Sequence, residues 1–169
     1  MAIVDGILPE FDQEMANTRK TLERIPDAKF DWKPHSKSMP MGDLGAHLAT
    51  LPTFVAITME RDSFDVINRD GAAAKPPKPK SAIELVETFD KNVAAARAIL
   101  EKTKDDHLMK PWTLLAGGKT ILTLPRIAVL RSFVLSHNVH HRAQLGVYLR
   151  LNDVPVPSIY GPSADESGM

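Results

Sequence analysis

The chain has 169 residues, 43% hydrophobic and 25% charged, with 21 basic residues balanced by 21 acidic ones and no cysteine. That length suits one well-buried core, and the charge balance leaves no field of one sign to hold nucleic acid or an anionic membrane surface. The lack of cysteine excludes disulfides, thiolate ligands and cysteine nucleophiles, while an acidic opening and the absence of any membrane-length apolar run make a cytoplasmic location the expectation.

The first predicted helix runs from Val4 or Leu8 to Ile25, where Ile7, Phe11, Met15, Thr18, Leu22 and Ile25 recur every three or four residues. Pro26 ends it. The stretch to Pro40 carries Trp32, Pro34 and His35 without sustained periodicity and reads as an ordered connection. Ser38, ahead of Met39 and Pro40, is the expected cap of a second helix that continues through Phe64. Its stripe is Leu44, His47 or Leu48, Leu51, Val55 and Thr58, with Phe54 beside it, and Pro52 is expected to kink it, either to wrap the core or to open room beside His47.

Residues 66–80 include the stiff, polar run KPPKPK, expected to travel outside the helices. Ser81 begins a third helix with Ile83, Val86, Phe89, Val93, Ala96 and Leu100 on one stripe, and His107 follows its end in a surface or helix-end setting. From Met109 to Pro125 the sequence TLLAGGKTILTLP places two apolar runs around Gly117 and Gly118, a hairpin signal rather than a phosphate loop.

The last helix, Arg126 to Leu151, is the longest periodic run. Its stripe passes through Ile127, Leu130, Val134, His137, His141, Leu145 and Tyr148. Two histidines four apart project from adjacent turns, so both imidazoles can reach one ion. A lone buried histidine needs only a hydrogen bond; two on a core stripe must both be satisfied and cannot comfortably both be protonated there. His140, Arg142 and Gln144 lie off the stripe and are expected at the surface or rim. Residues 152–169 form a proline-rich, non-helical tail.

Four amphipathic helices without a central sheet predict an all-α four-helix bundle, a single domain spanning 1–169, with long connections. His47 from the second helix and His137 and His141 from the fourth are then the candidate metal ligands. Neutral imidazoles suit Zn²⁺, Ni²⁺, Co²⁺ or Fe²⁺, with Mn²⁺ also admissible, and three without a fourth protein ligand leave open coordination positions that would let an ion activate water, a carbonyl or a thiol. Asn138 stands where an HExxH peptidase has its glutamate, which argues against peptidase chemistry. Asp43, one turn before His47, and Tyr160, Asp165 and Glu166 in the tail are weaker candidates for catalytic participation, the tail groups only if it folds back over the site.

The segments MGDLGAHLATL, HNVHHRAQLGVYLR and NDVPVPSIYGPSADE resemble those of the DinB superfamily, the DinB/YfiT-like metalloenzymes, across most of the chain. The resemblance implies an up-down-down-up four-helix bundle, a homodimer, and a divalent ion, nickel or zinc, held at His47, His137 and His141. Relatives in the wider superfamily include thiol-dependent transferases and a maleylpyruvate isomerase. A thiol-dependent or other small-molecule transferase is therefore the leading expectation. A metal-dependent hydrolase of a small amide or ester and a non-catalytic, metal-stabilised, stress-associated bundle are the alternatives.

Overall fold

A computed structural model describes residues 2–67 and 79–167. Helix α1 (Ile3–Leu22) buries the face expected of it, with Ile7, Phe11, Met15, Thr18 and Leu22 all turned inward. It ends at Leu22 rather than Ile25, although Ile25 remains buried in the connection that follows. That connection makes a 3-10 turn at Asp27–Lys29.

Helix α2 (Met41–Thr50) starts later than the sequence suggested. Pro40 takes the cap position, and the Ser38 amide instead bonds the carbonyl of His35. At Pro52 the chain tightens into a 3-10 turn, Leu51–Thr53, before α3 (Phe54–Glu60) resumes. Proline donates no backbone hydrogen bond and crowds the preceding turn, which accounts for the break. Gly45 lets α2 approach its neighbours closely: a Cβ there would lie 2.9 Å from side-chain carbons of both Ile25 and Leu85.

The second helix does not reach Phe64. It stops at Glu60, and Ser63–Asp65 form a short strand, β1. The KPPKPK run lies largely outside the described residues. Helix α4 (Ala82–Leu100) is capped by Ser81, whose hydroxyl accepts from the Glu84 amide at 3.2 Å. Its buried stripe is Leu85, Phe89, Ala96 and Leu100, whereas Ile83, expected inside, is 70% exposed because it lies at the helix's open first turn.

A short helix α5 (Asp105–Leu108) leads into an antiparallel hairpin, β2 (Pro111–Ala116) and β3 (Lys119–Pro125). Gly117 and Gly118 make its two-residue turn with φ of 58° and 77°, the backbone region that a twisted hairpin turn requires and that glycine enters without a Cβ clash. Strand β1 adds in parallel to β2, and the Asp65 carboxylate accepts both turn amides, from Gly117 at 2.9 Å and Gly118 at 2.7 Å. Under this sheet, Trp112, Leu114 and Val129 form a second apolar cluster.

The last helix is continuous but not uniform. It begins as α6 (Arg126–Val129), widens to a π-helix over Leu130–Ser136 and returns to α geometry in α7 (His137–Arg150). Arg126, almost wholly buried, anchors its start by donating to the carbonyls of Thr58 and Arg61 and to the Asp62 carboxylate at 2.6 Å.

The bundle is formed by α1, α2 with α3, α4, and α6 with α7. Both α1 and α2 pack against α4 and against α7. The first two helices therefore lie across the bundle from each other, which is why the connection between them is long. Among the described residues, no helix is long and apolar enough to cross a membrane.

Candidate metal centre

His47 projects from the last turn of α2, and His137 and His141 from the first two turns of α7. The α2–α7 packing brings the three together. The Nε2 atoms of His47 and His137 are 3.3 Å apart, and those of His137 and His141 are 2.9 Å apart. The three ring centroids lie 4.5 to 5.0 Å from one another. Ligand nitrogens about 2.1 Å from one ion, at angles of ~90° to 110°, stand roughly 3.0 to 3.4 Å apart. The two separations are close to that spacing, and all three ligand atoms lie within 4.8 Å of one another, so the cluster could hold a single divalent ion. Among the described residues, no carboxylate or further histidine belongs to this group.

Burial disfavours protonation of the rings. Desolvation, followed by the facing rings of His141 and His137, pushes His47 down to about 4. His137 and His141 are also lowered, each chiefly by burial. Neutral imidazole is the ligating form, so the fold holds these side chains ready for a cation.

Two of the three histidines are also oriented from behind. Nδ1 of His141 lies 2.7 Å from Oε1 of Gln144; an amide oxygen can only accept, so Nδ1 carries the proton and Nε2 presents its lone pair. His137 has a hydrogen bond with the backbone of Phe133, inside the π segment. Gln144 was expected at the surface, and it is exposed, yet it has a defined task. Its position three residues after His141 is the only mark of that task in the sequence.

Arg142 departs further from expectation. It is only 4% exposed and pairs with Glu14 of α1 at 2.6 Å, while also donating to the Glu14 carbonyl and to the Tyr160 hydroxyl. Asn138, one turn earlier, is wholly buried and accepts from Thr18. The two flanks of α7 thus differ: His137 and His141 face α2, whereas Asn138 and Arg142 meet polar groups of α1. His140 is exposed, as expected, and its ring lies 4.9 Å from that of His141.

Asp43 occupies the first turn of α2 and stands outside the histidine group. The tail candidates latch residues 154–167 to the bundle. Tyr160 donates to Glu14 at 2.7 Å, Asp165 accepts from Arg150 at 2.5 Å, and Glu166 accepts from Arg24 at 2.5 Å. Arg150 holds the Asp165 carboxyl below its ordinary range; the Ser158 amide does the same for Glu166.

A cavity of about 460 Å³ adjoins the centre, with His47 and His137 in its wall. Thr50, Leu51, Thr53 and Phe54, on either side of Pro52, line it as well. The bend at Pro52 therefore shapes space beside His47. A larger cleft of about 610 Å³ runs past Met59, Lys102 and His107 and contains none of the three histidines.

Comparison with known proteins agrees with this architecture. The sequence profile of the DinB superfamily matches residues 10–145. An uncharacterized protein of Bacillus subtilis strain 168, YrdA, is 25% identical over 163 residues, covering 96% of this chain and 91% of its own. A DinB-like protein from Bacillus cereus ATCC 10987 superposes with a TM-score of 0.73 at 20% identity, covering 94% of this chain and 98% of that one. YjoA, a DinB-like protein from Bacillus subtilis, gives 0.68 at 19% identity, with coverages of 91% and 97%. A mycothiol-dependent maleylpyruvate isomerase gives 0.50 at 12% identity, covering 90% of this chain and 64% of that protein.

Proposed function

This chain belongs to the DinB superfamily, and from that premise we propose that it is a divalent-metal-dependent enzyme acting on a small molecule, its ion held by His47, His137 and His141. The observation that carries the proposal is the convergence of three neutral imidazole nitrogens beside a cavity. Ni²⁺ and Zn²⁺ are the proposed ions. Bound there, a divalent ion would supply Lewis acidity toward a thiol, a carbonyl or water.

The residues of the chain set the conditions for that chemistry. Three neutral ligands cancel none of the ion's charge, and three protein donors leave coordination positions for a reactant. Gln144 fixes the tautomer of His141, and the Phe133 backbone supports His137. Among the described residues, no carboxylate lines the cavity to act as general base, which favours a reactant whose own proton is made acidic over hydrolysis relying on a protein base. A thiol co-substrate meets that condition, and one fold relative is named as mycothiol-dependent. The reading is therefore a thiol-dependent transferase, with a small-ester or amide hydrolase as the alternative.

The test uses untagged protein, with metal content measured before and after chelation. A panel of electrophiles is then offered with a thiol or with water alone. Turnover that needs both metal and thiol, and that disappears in His137→Ala, is the expected result. Absence of metal uptake, or equal turnover after chelation, would overturn the proposal.

A further inference from the structure

The cavity beside the centre is apolar over most of its wall. Phe54, Ile57 and Phe133 come from the helices, Phe64 and Leu114 come from the small sheet, and Val66 directly follows β1. The aromatic rings are organised against one another: Phe54 stacks on Phe133 at a centroid distance of 5.8 Å and meets the edge of Phe64 at 5.6 Å.

The two threonines in the wall add little polarity. The Thr50 hydroxyl donates to the carbonyls of Ala46 and His47, both at 3.0 Å, and that of Thr53 to the Thr50 carbonyl at 2.7 Å. Among the described residues, no aspartate, glutamate, lysine or arginine lines the space. An ionised group seated there would lose water without gaining a counter-charge. Polar capture is confined to the histidine centre. About 460 Å³ is enough for a ring-bearing ligand.

From these features we infer that the substrate is an uncharged molecule carrying an aromatic ring. The ring sits among Phe54, Phe64 and Phe133, and one neutral donor atom reaches the centre at His47 and His137. The inference rests on the metal-enzyme reading above and deepens it by naming what the ion would act upon. It also gives the sheet a role, since Phe64 and Leu114 line the cavity together with the helical residues. A charged thiol would have to keep its ionised groups outside this space.

The test loads the untagged full chain with Co²⁺ and titrates imidazole, 4-phenylimidazole and 4-(4-carboxyphenyl)imidazole at pH 8, by calorimetry and the visible cobalt spectrum. The phenyl group is expected to tighten binding at least ~10-fold over imidazole, and the added carboxylate to remove that gain. Phe133→Ala should cut the phenyl gain severalfold. Val66, 37% exposed, tolerates a polar side chain, so Val66→Lys should shift preference toward the carboxylated probe while the protein stays folded. Cobalt uptake with equal binding of imidazole and 4-phenylimidazole, or with the carboxylated probe bound as tightly as the phenyl one, overturns this proposal alone. Failure to bind Co²⁺ at all overturns it together with the metal reading.

Discussion

Gln144 holds His141 in place, with the amide oxygen 2.7 Å from the ring nitrogen that points away from the cluster. This contact sets the tautomer, and with it which nitrogen presents its lone pair to the cluster. Gln144 is exposed, so Gln144→Ala should leave folding nearly unchanged yet weaken metal binding by roughly 10- to 100-fold. Competition against a chromophoric chelator measures the loss; wild-type affinity in the variant would mean that the contact has no part in tuning the site.

Under the proposed metal reading an ion should also hold the fold together, because α2 and α7 contribute histidines to the same group. Zn²⁺ or Ni²⁺ at about 100 times its dissociation constant should add ~2.7 kcal/mol of stability. His137→Ala should abolish that increment. Urea denaturation with and without metal gives the comparison.

The lowered histidine pKa values give the metal-free protein a defined response to acid. Well above the ordinary histidine pKa of ~6.5 the rings are neutral in both folded and unfolded chains and contribute no slope. Below it, the unfolded chain takes up protons that the folded chain refuses until His47 titrates at about 4, so stability should decline across that interval. Denaturation midpoints in chelator at pH 7.5 and 5.0 test this. The decline should be shallower in His47→Gln, which removes the most strongly shifted ring.

Arg142 and Glu14 are both nearly enclosed, and their contact joins α7 to α1. Glu14→Ala would leave the guanidinium buried without its partner, at a cost of about 3 to 5 kcal/mol. Replacing both together, as Glu14→Leu with Arg142→Met, should recover much of the loss. Thermal melts of the single and double variants decide the matter, and additive losses would show that the two side chains act independently.

The histidine cluster was legible because each of its members broke an apolar pattern at a core-facing position. The hairpin was legible from Gly117 and Gly118, whose positive φ angles are what that turn demands. Other features left weaker marks. Strand β1 is only three residues long and follows a helix whose periodicity runs smoothly into it. The buried setting of Arg142 depends on Glu14 of α1, a contact between distant parts of the chain that no local spacing announces. The cavity joins residues of two helical segments to residues of a sheet, so its chemistry could be read only once they were assembled.

The π-helix over Leu130–Ser136 sets the angular phase at which His137 and His141 emerge from α7. Each residue of an α-helix turns the chain by about 100°. Deleting one residue from that stretch, so that it relaxes to ordinary α winding, would swing His137 and His141 away from His47 while leaving every side chain between His137 and Arg150 chemically intact. A single-residue deletion there would therefore disperse the histidine cluster without altering any of its three members, so the register of the cluster depends on the wider winding of a segment that contains none of them.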